Sequence, residues 1–79
     1  MKLKKKIIEN KLKIIFKKVF KENKKVYNME NTSNWDSLNH LKLIIEIQKK
    51  FQIKISNINV PKLVDQKKIV QYISKKINF

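Results

Sequence analysis

The sequence predicts an all-α fold, a small four-helix bundle of three longer helices and one short one, and three observations carry that expectation. The chain has no Gly and a single Pro, Pro61, so it lacks the residues that tight hairpin turns prefer. Apolar residues recur every three to four positions through three separate stretches, the period of a helix with one buried face. Only one short segment alternates, and a lone strand would leave its backbone groups without partners. With 79 residues the chain forms a single domain over 1–79, and a domain this small buries only about 60% of the surface its unfolded chain exposes.

The first helix is expected on the stripe Ile8, Leu12, Ile15, Phe16, Val19 and Phe20, ending near Asn23. Lys fills most of the remaining circumference, while Ile7 and Ile14 lie off the stripe. A polar, Asn-rich stretch without period follows over about 24–35, a loop long enough for functional use. Trp35 at its end is expected to plug the end of the bundle.

A second helix begins at Asp36-Ser37, because an Asp side chain accepts a hydrogen bond from an unpaired first-turn N–H. Leu38, Leu41, Ile44, Ile45 and Gln48 share one face, expected to be buried, with Phe51 at its edge. Asn39, Lys42, Glu46 and Lys49 share the opposite, solvent-facing side. Leu43 and Ile47 fall outside the narrow stripe, which predicts burial on more than one side. His40 is expected on the surface, since catalysis would require partners that the sequence does not offer. The alternating Phe51–Ile55 segment reads as a loop with Ile53 and Ile55 pointing inward. Ser56–Lys62 holds at most one helical turn, interrupted by Pro61. A last helix, capped by Asp65, runs to Ile77 on Ile69, Tyr72 or Ile73, and Ile77.

The absence of Cys excludes disulfides and thiolate metal sites, and a lone His40 builds no zinc site. No metal ligands are therefore expected. No apolar run approaches the roughly 18 residues of a membrane span, and no apolar core or small-residue cleavage site follows the basic start, so no signal peptide is expected. The expected location is cytoplasmic. The net charge is +14, carried by 20 Lys and no Arg, and Lys, Asn and Ile together supply 42 of the 79 residues. Those three share A/T-rich codons, so base composition accounts for part of the charge.

The stretch WDSLNHLKLIIEIQKKFQIKIS, Trp35–Ser56, resembles the central segment of acyl carrier proteins and the related peptidyl carrier domains. The Asp-Ser-Leu triplet opening a helix is followed at the right spacing by Leu41, Ile44, Ile45, Phe51, Ile53 and Ile55. KLVDQKKIVQYISKKI is similar to that family's closing helix and IIFKKVF to the end of its first, so the resemblance runs from about Ile7 to Ile77. It implies a non-enzymatic carrier with 4′-phosphopantetheine, transferred from coenzyme A by a phosphopantetheinyl transferase and esterified to Ser37. The arm's thiol would hold an acyl or aminoacyl group as a thioester. Asp36 and Leu38 would flank the attachment point, and Asn39, Lys42, Glu46 and Lys49 would dock partner enzymes. Leu41, Ile45, Ile55 and Ile73 would part to shelter a short acyl chain. The partners implied are the transferase, a loading enzyme and a downstream acyltransferase or synthase, served by a monomeric carrier.

Most carriers of fatty acid synthesis are acidic along the second helix, whereas here Glu46 is the only acid between Leu38 and Phe51, against Lys42, Lys49 and Lys50. Electrostatic complementarity governs partner choice and on-rate. The reversed sign points to a specialised stand-alone carrier for one dedicated pathway, such as polysaccharide modification or secondary metabolism. The alternative is a small basic helical protein that binds nucleic acid, suggested by charge alone, or an anionic surface, for which Met1–Lys21 is the best segment although the off-stripe Ile7 and Ile14 blur its amphipathic split. Without Arg there is no bidentate guanine contact, and no specific nucleic-acid partner is expected. Like charges at this density repel in the compact state. Added salt should therefore raise the melting temperature followed by circular dichroism, and a melting temperature indifferent to salt would refute self-repulsion.

Overall fold

The apolar period of the first segment does produce a helix, α1 (Lys2–Phe20), in a computed structural model that describes residues 2–77 and side chains from Lys5 onward. Ile8, Leu12, Ile15, Phe16 and Phe20 are all buried, and Val19 packs beside them half-buried. The helix stops at Phe20, three residues before the expected Asn23. Lys21 takes a left-handed conformation (φ 58°) while its N–H donates to the Lys17 carbonyl at 2.9 Å, a turn that closes the last helical ring and turns the chain away.

The following loop is held by specific polar contacts rather than left free. The Tyr27 ring is buried against Phe16, with ring centroids 4.6 Å apart. Its hydroxyl donates to the Glu22 carbonyl and accepts from the Lys24 N–H. Tyr27 N–H donates to Gln66 Oε1 at 3.1 Å, Gln66 N–H to the Tyr27 carbonyl at 2.8 Å, and Asn28 forms an isolated antiparallel bridge with Asp65. The loop is thereby pinned to the entrance of the last helix, and these pairs satisfy backbone groups that burial would otherwise leave orphaned. At the far end of the loop, Asn34 Nδ2 donates to the Phe20 carbonyl at 2.8 Å. Glu22 accepts from the Ser33 hydroxyl and the Asn34 N–H.

The second helix, α2, spans Ser37–Phe51 with Asp36 as its N-cap. Here the structure corrects the expected face. His40, Leu43, Ile44 and Ile47 are buried, while Leu38, Leu41 and Ile45 are 63%, 55% and 49% exposed. The helix is apolar over so much of its circumference that two stripes compete, and the stripe containing Leu43 and Ile47 wins because it faces α1. His40, expected at the surface, lies in the core. Gln52 closes the helix in a left-handed conformation (φ 53°) with its N–H on the Gln48 carbonyl. Ile55 is buried and Ile53 half-buried, as inward-pointing loop residues should be.

Instead of a fourth helix, the described residues form a three-residue 3₁₀ turn at Val60–Lys62, with Pro61 in its first turn where a missing N–H does no harm. The last helix, α3 (Gln66–Ile77), buries Gln66, Ile69, Val70 and Ile73. The side chain of Asp65 caps it through the Lys68 N–H at 2.8 Å. The arrangement is thus three helices and one short turn, without strands among the described residues. α1 is the central element, against which both α2 and α3 pack. The radius of gyration of 11.6 Å matches the roughly 12 Å of a compact chain of this length.

Glu22 makes the loop sensitive to acid. The Ser33 hydroxyl above all, with the Asn34 N–H and Lys24, holds its carboxyl below the ordinary value against a smaller upward push from burial. A lowered folded pKa stabilises the fold above the ordinary Glu range, and that contribution is lost as pH falls through the folded value. Melting curves taken at successively lower pH should show the wild type losing stability more steeply than Glu22→Gln across that window. Parallel acid limbs would show that this carboxylate does not tie the loop.

Candidate functional site

Ser37 is the first residue of α2 and is exposed. Its position follows from the cap before it. Asp36 Oδ1 accepts from the Asn39 N–H at 2.8 Å, and the Asp36 carbonyl accepts from the His40 N–H at 2.8 Å. The next helical donors, Asn39 and His40, are therefore satisfied, and the Ser37 and Leu38 N–H groups point out of the open end of the helix, as the geometry of any helix start requires. A phosphate ester on Ser37 Oγ would sit beside those donors at the positive end of the helix dipole, worth ~0.3–1 kcal/mol at an exposed site. The Asp36 carboxylate at the same end offsets part of that gain.

Beneath Ser37 lies a groove of about 460 Å³ whose walls include Met29, Leu41, Val60, Pro61 and Val64, with Trp35 and His40 also contributing. Met29 and Leu41 are 44% and 55% exposed, so the groove offers apolar surface next to a solvent-facing hydroxyl. Leu41 was expected between the helices as part of an interior acyl lining with Ile45, Ile55 and Ile73. The structure separates that set: Ile55 and Ile73 are core residues, while Leu41 and Ile45 face outward.

The groove is shaped by a pair that periodicity did not reveal. Trp35 is buried and stacks on Phe20, with centroids 4.7 Å apart. Its indole Nε1 donates to His40 Nδ1 at 2.9 Å, and His40 Nε2 reaches the Val60 carbonyl at 2.7 Å. An indole N–H only donates, so Nδ1 must be the accepting nitrogen and the proton must sit on Nε2, which donates to Val60. The ring is thus a neutral strut joining the start of α2 to the 3₁₀ turn. The W-x₄-H spacing was the one sequence signal for it.

Among the other residues singled out by sequence, Lys42 and Lys49 are exposed and Glu46 is half-buried. Glu46 carries the Lys18 ammonium at 3.2 Å, which ties it to α1. Asn39 is half-buried, and its Nδ2 donates to the Asn34 carbonyl at 2.8 Å. Among the described residues no group of three His, Cys, Asp or Glu is placed to hold a metal ion. No helix there is long and apolar enough to cross a membrane.

No protein-family model, no curated protein and no solved structure matches this chain.

The strut has a measurable consequence. His40→Phe keeps an aromatic ring but leaves the Trp35 N–H and the Val60 carbonyl without their partner, and a buried polar group so stranded costs ~1–3 kcal/mol. Chemical denaturation should show a loss of that size for His40→Phe and a smaller one for Leu41→Gln on the exposed groove wall. Nitrogen chemical shifts of the wild-type ring should report the Nε2-protonated tautomer. A Phe variant as stable as the wild type would remove the strut from the account.

Proposed function

We propose that the chain is a carrier protein that bears its cargo as a thioester on a 4′-phosphopantetheine arm attached to Ser37. The observation that carries this reading is an exposed hydroxyl in the first turn of α2, immediately after a capping Asp and beside an apolar groove. In the loading reaction Ser37 Oγ forms a new ester bond to the phosphate bound to pantetheine, and the adenosine bisphosphate half of coenzyme A leaves. The hydroxyl proton passes to a base that the transferase supplies. The chemistry of the thioester then belongs to the arm, and the protein supplies attachment and presentation.

Several features agree with a carrier of the acyl-carrier type. The order is a long first helix, a long loop, a helix opened by Asp-Ser-Leu, a short turn and a closing helix. On this reading the turn at Val60–Lys62 would stand for that family's short third helix. The groove walls of Met29, Leu41 and Val60 provide apolar contact for the arm or for a short acyl group outside the core. Leu38, 63% exposed beside the attachment point, is available to a transferase, and Lys42 and Lys49 present positive charge one and three turns along. Those lysines match acidic partner enzymes, in keeping with a dedicated pathway rather than housekeeping fatty acid synthesis.

The test is direct. Incubation with coenzyme A and a broad-specificity phosphopantetheinyl transferase should add one phosphopantetheine to the intact mass. The increment should vanish in Ser37→Ala and persist in Ser33→Ala, whose hydroxyl is exposed in the loop. An unchanged mass with several transferases, from protein shown to be folded, would refute the carrier reading.

A further inference from the structure

Two helices of this bundle carry the same outward pattern, which the core leaves unused and of which the carrier reading draws only on Leu38, Lys42 and Lys49 of α2. On α1, Ile7, Lys11, Ile14 and Lys18 follow one another at steps of four, three and four. On α2, Leu38, Lys42, Ile45 and Lys49 repeat the steps. In a helix such a run makes two parallel rows, one apolar and one basic, each with a spacing of seven. The structure shows both apolar rows facing solvent: Ile7, Ile14, Leu38 and Ile45 are 45%, 63%, 63% and 49% exposed.

The two patterns lie side by side. Lys18 Nζ meets Glu46 Oε1 at 3.2 Å, Ile14 shares a cleft with Lys49 and Lys50, and Ile7 and Lys11 share another with Lys50 and Phe51. As α1 is followed backwards, α2 is followed forwards, so the helices run antiparallel; these contacts join the α1 rows to the second half of α2, and Leu38 and Lys42 continue the α2 rows toward the start of that helix. Glu46, the acid between the rows, is already paired with Lys18. The stripe that would make α1 a free amphipathic helix is consumed by the core, and this second face is what the folded protein leaves outside. α3 provides an internal contrast: its outer side carries Lys67, Lys68 and Lys75 but no exposed large apolar residue among the described positions.

We infer that the α1–α2 face docks the folded protein on an anionic lipid surface, with the Ile and Leu rows entering the headgroup boundary and the Lys rows lying over acidic phospholipids. Alternating apolar and Lys rows suit this occupant. Lys keeps its charge at the headgroups while its stem covers apolar surface, and each apolar row contributes burial that a purely ionic contact does not. For the face as a whole a protein partner is a poorer fit, since protein interfaces are depleted in Lys and favour Arg and aromatics; the enzyme docking proposed above draws only on its α2 side. Nucleic acid has no use for exposed Ile and Leu, because phosphate contacts need only the charge. Lipid docking of this kind lies on the surface and requires no spanning helix.

Co-sedimentation of the full chain with vesicles tests it. The protein should pellet with phosphatidylcholine vesicles containing phosphatidylglycerol and stay in solution with phosphatidylcholine alone. Ile7→Gln with Ile14→Gln, which changes no charge, should lower the partition coefficient about tenfold. Lys11→Gln, Lys42→Gln and Lys49→Gln together should lower it at least as much, whereas Lys67→Gln, Lys68→Gln and Lys75→Gln, an equal loss of charge, should leave it within about twofold. All the substituted side chains are exposed, and circular dichroism checks that each variant remains folded. Ser37→Ala should bind as the wild type does, so this result stands apart from the carrier reading. Equal losses in the two Lys triples, or no loss in the Ile pair, would overturn the proposal and leave only non-specific attraction by net charge. So would tight capture by heparin that depends on Lys11, Lys42 and Lys49 but is insensitive to the Ile pair.

Discussion

The placement of Trp35 governs the geometry of this small protein. The indole lies on Phe20 and near Phe16, where the last turns of α1 are buried, and its N–H is fixed by His40. One residue later the chain reaches the Asp36 cap, and one more brings it to Ser37. The start of α2 is therefore set by an aromatic contact to the end of α1 together with a hydrogen bond into α2 itself. Aromatic pairs add ~0.5–1.5 kcal/mol beyond their burial, a substantial share of the stability of a domain this small. Asn34 completes the junction by joining the Phe20 carbonyl through its side chain to Asn39 through its backbone. A solvent-facing hydroxyl thus rests on a rigid support although it follows a sixteen-residue connection.

The large positive charge is less uniform in effect than its total suggests. Each of the three helices ends on a Lys pair, Lys17 and Lys18, Lys49 and Lys50, and Lys75 and Lys76, where cations complement the negative end of the helix dipole. The two N-caps that engage a first-turn N–H are aspartates, Asp36 and Asp65, where anions complement the positive end. Few of the acids remain for cross-links: the described ion pairs are Lys18–Glu46 and Lys24–Glu22, both near the surface and individually weak. Repulsion is therefore relieved mainly by helix ends and solvent ions, and the core must supply nearly all of the remaining stability.

Local physics explains what was legible in the sequence. The α1 stripe is unambiguous because Lys occupies nearly everything else on that helix, and the Asp caps need only their own first turn to act. Helix α2 was harder, since Leu38, Leu41 and Ile45 form as regular a row as Leu43, Ile44 and Ile47. The choice between them depends on which row meets α1, and on His40 finding partners five residues upstream and twenty downstream. Such non-local pairing leaves no periodic trace. The same holds for Tyr27 and Gln66, whose exchange of hydrogen bonds spans 39 residues and gives the loop an order its polar composition did not suggest. At the candidate site, Asp36 and Ser37 were readable because capping is local, whereas the groove needed Val60 and Pro61 brought across from the other side of the fold.

The ends of α1 and α2 carry a further consequence. Lys21 and Gln52 both adopt backbone angles that L-residues with a β-carbon visit reluctantly, and the chain offers no residue without one. A composition held to so few amino acids has thus left conformational strain at the two solvent-exposed residues that close these helices. Those junctions are an untapped reserve, where a single glycine would relax the chain and lift its thermal tolerance without touching the buried core.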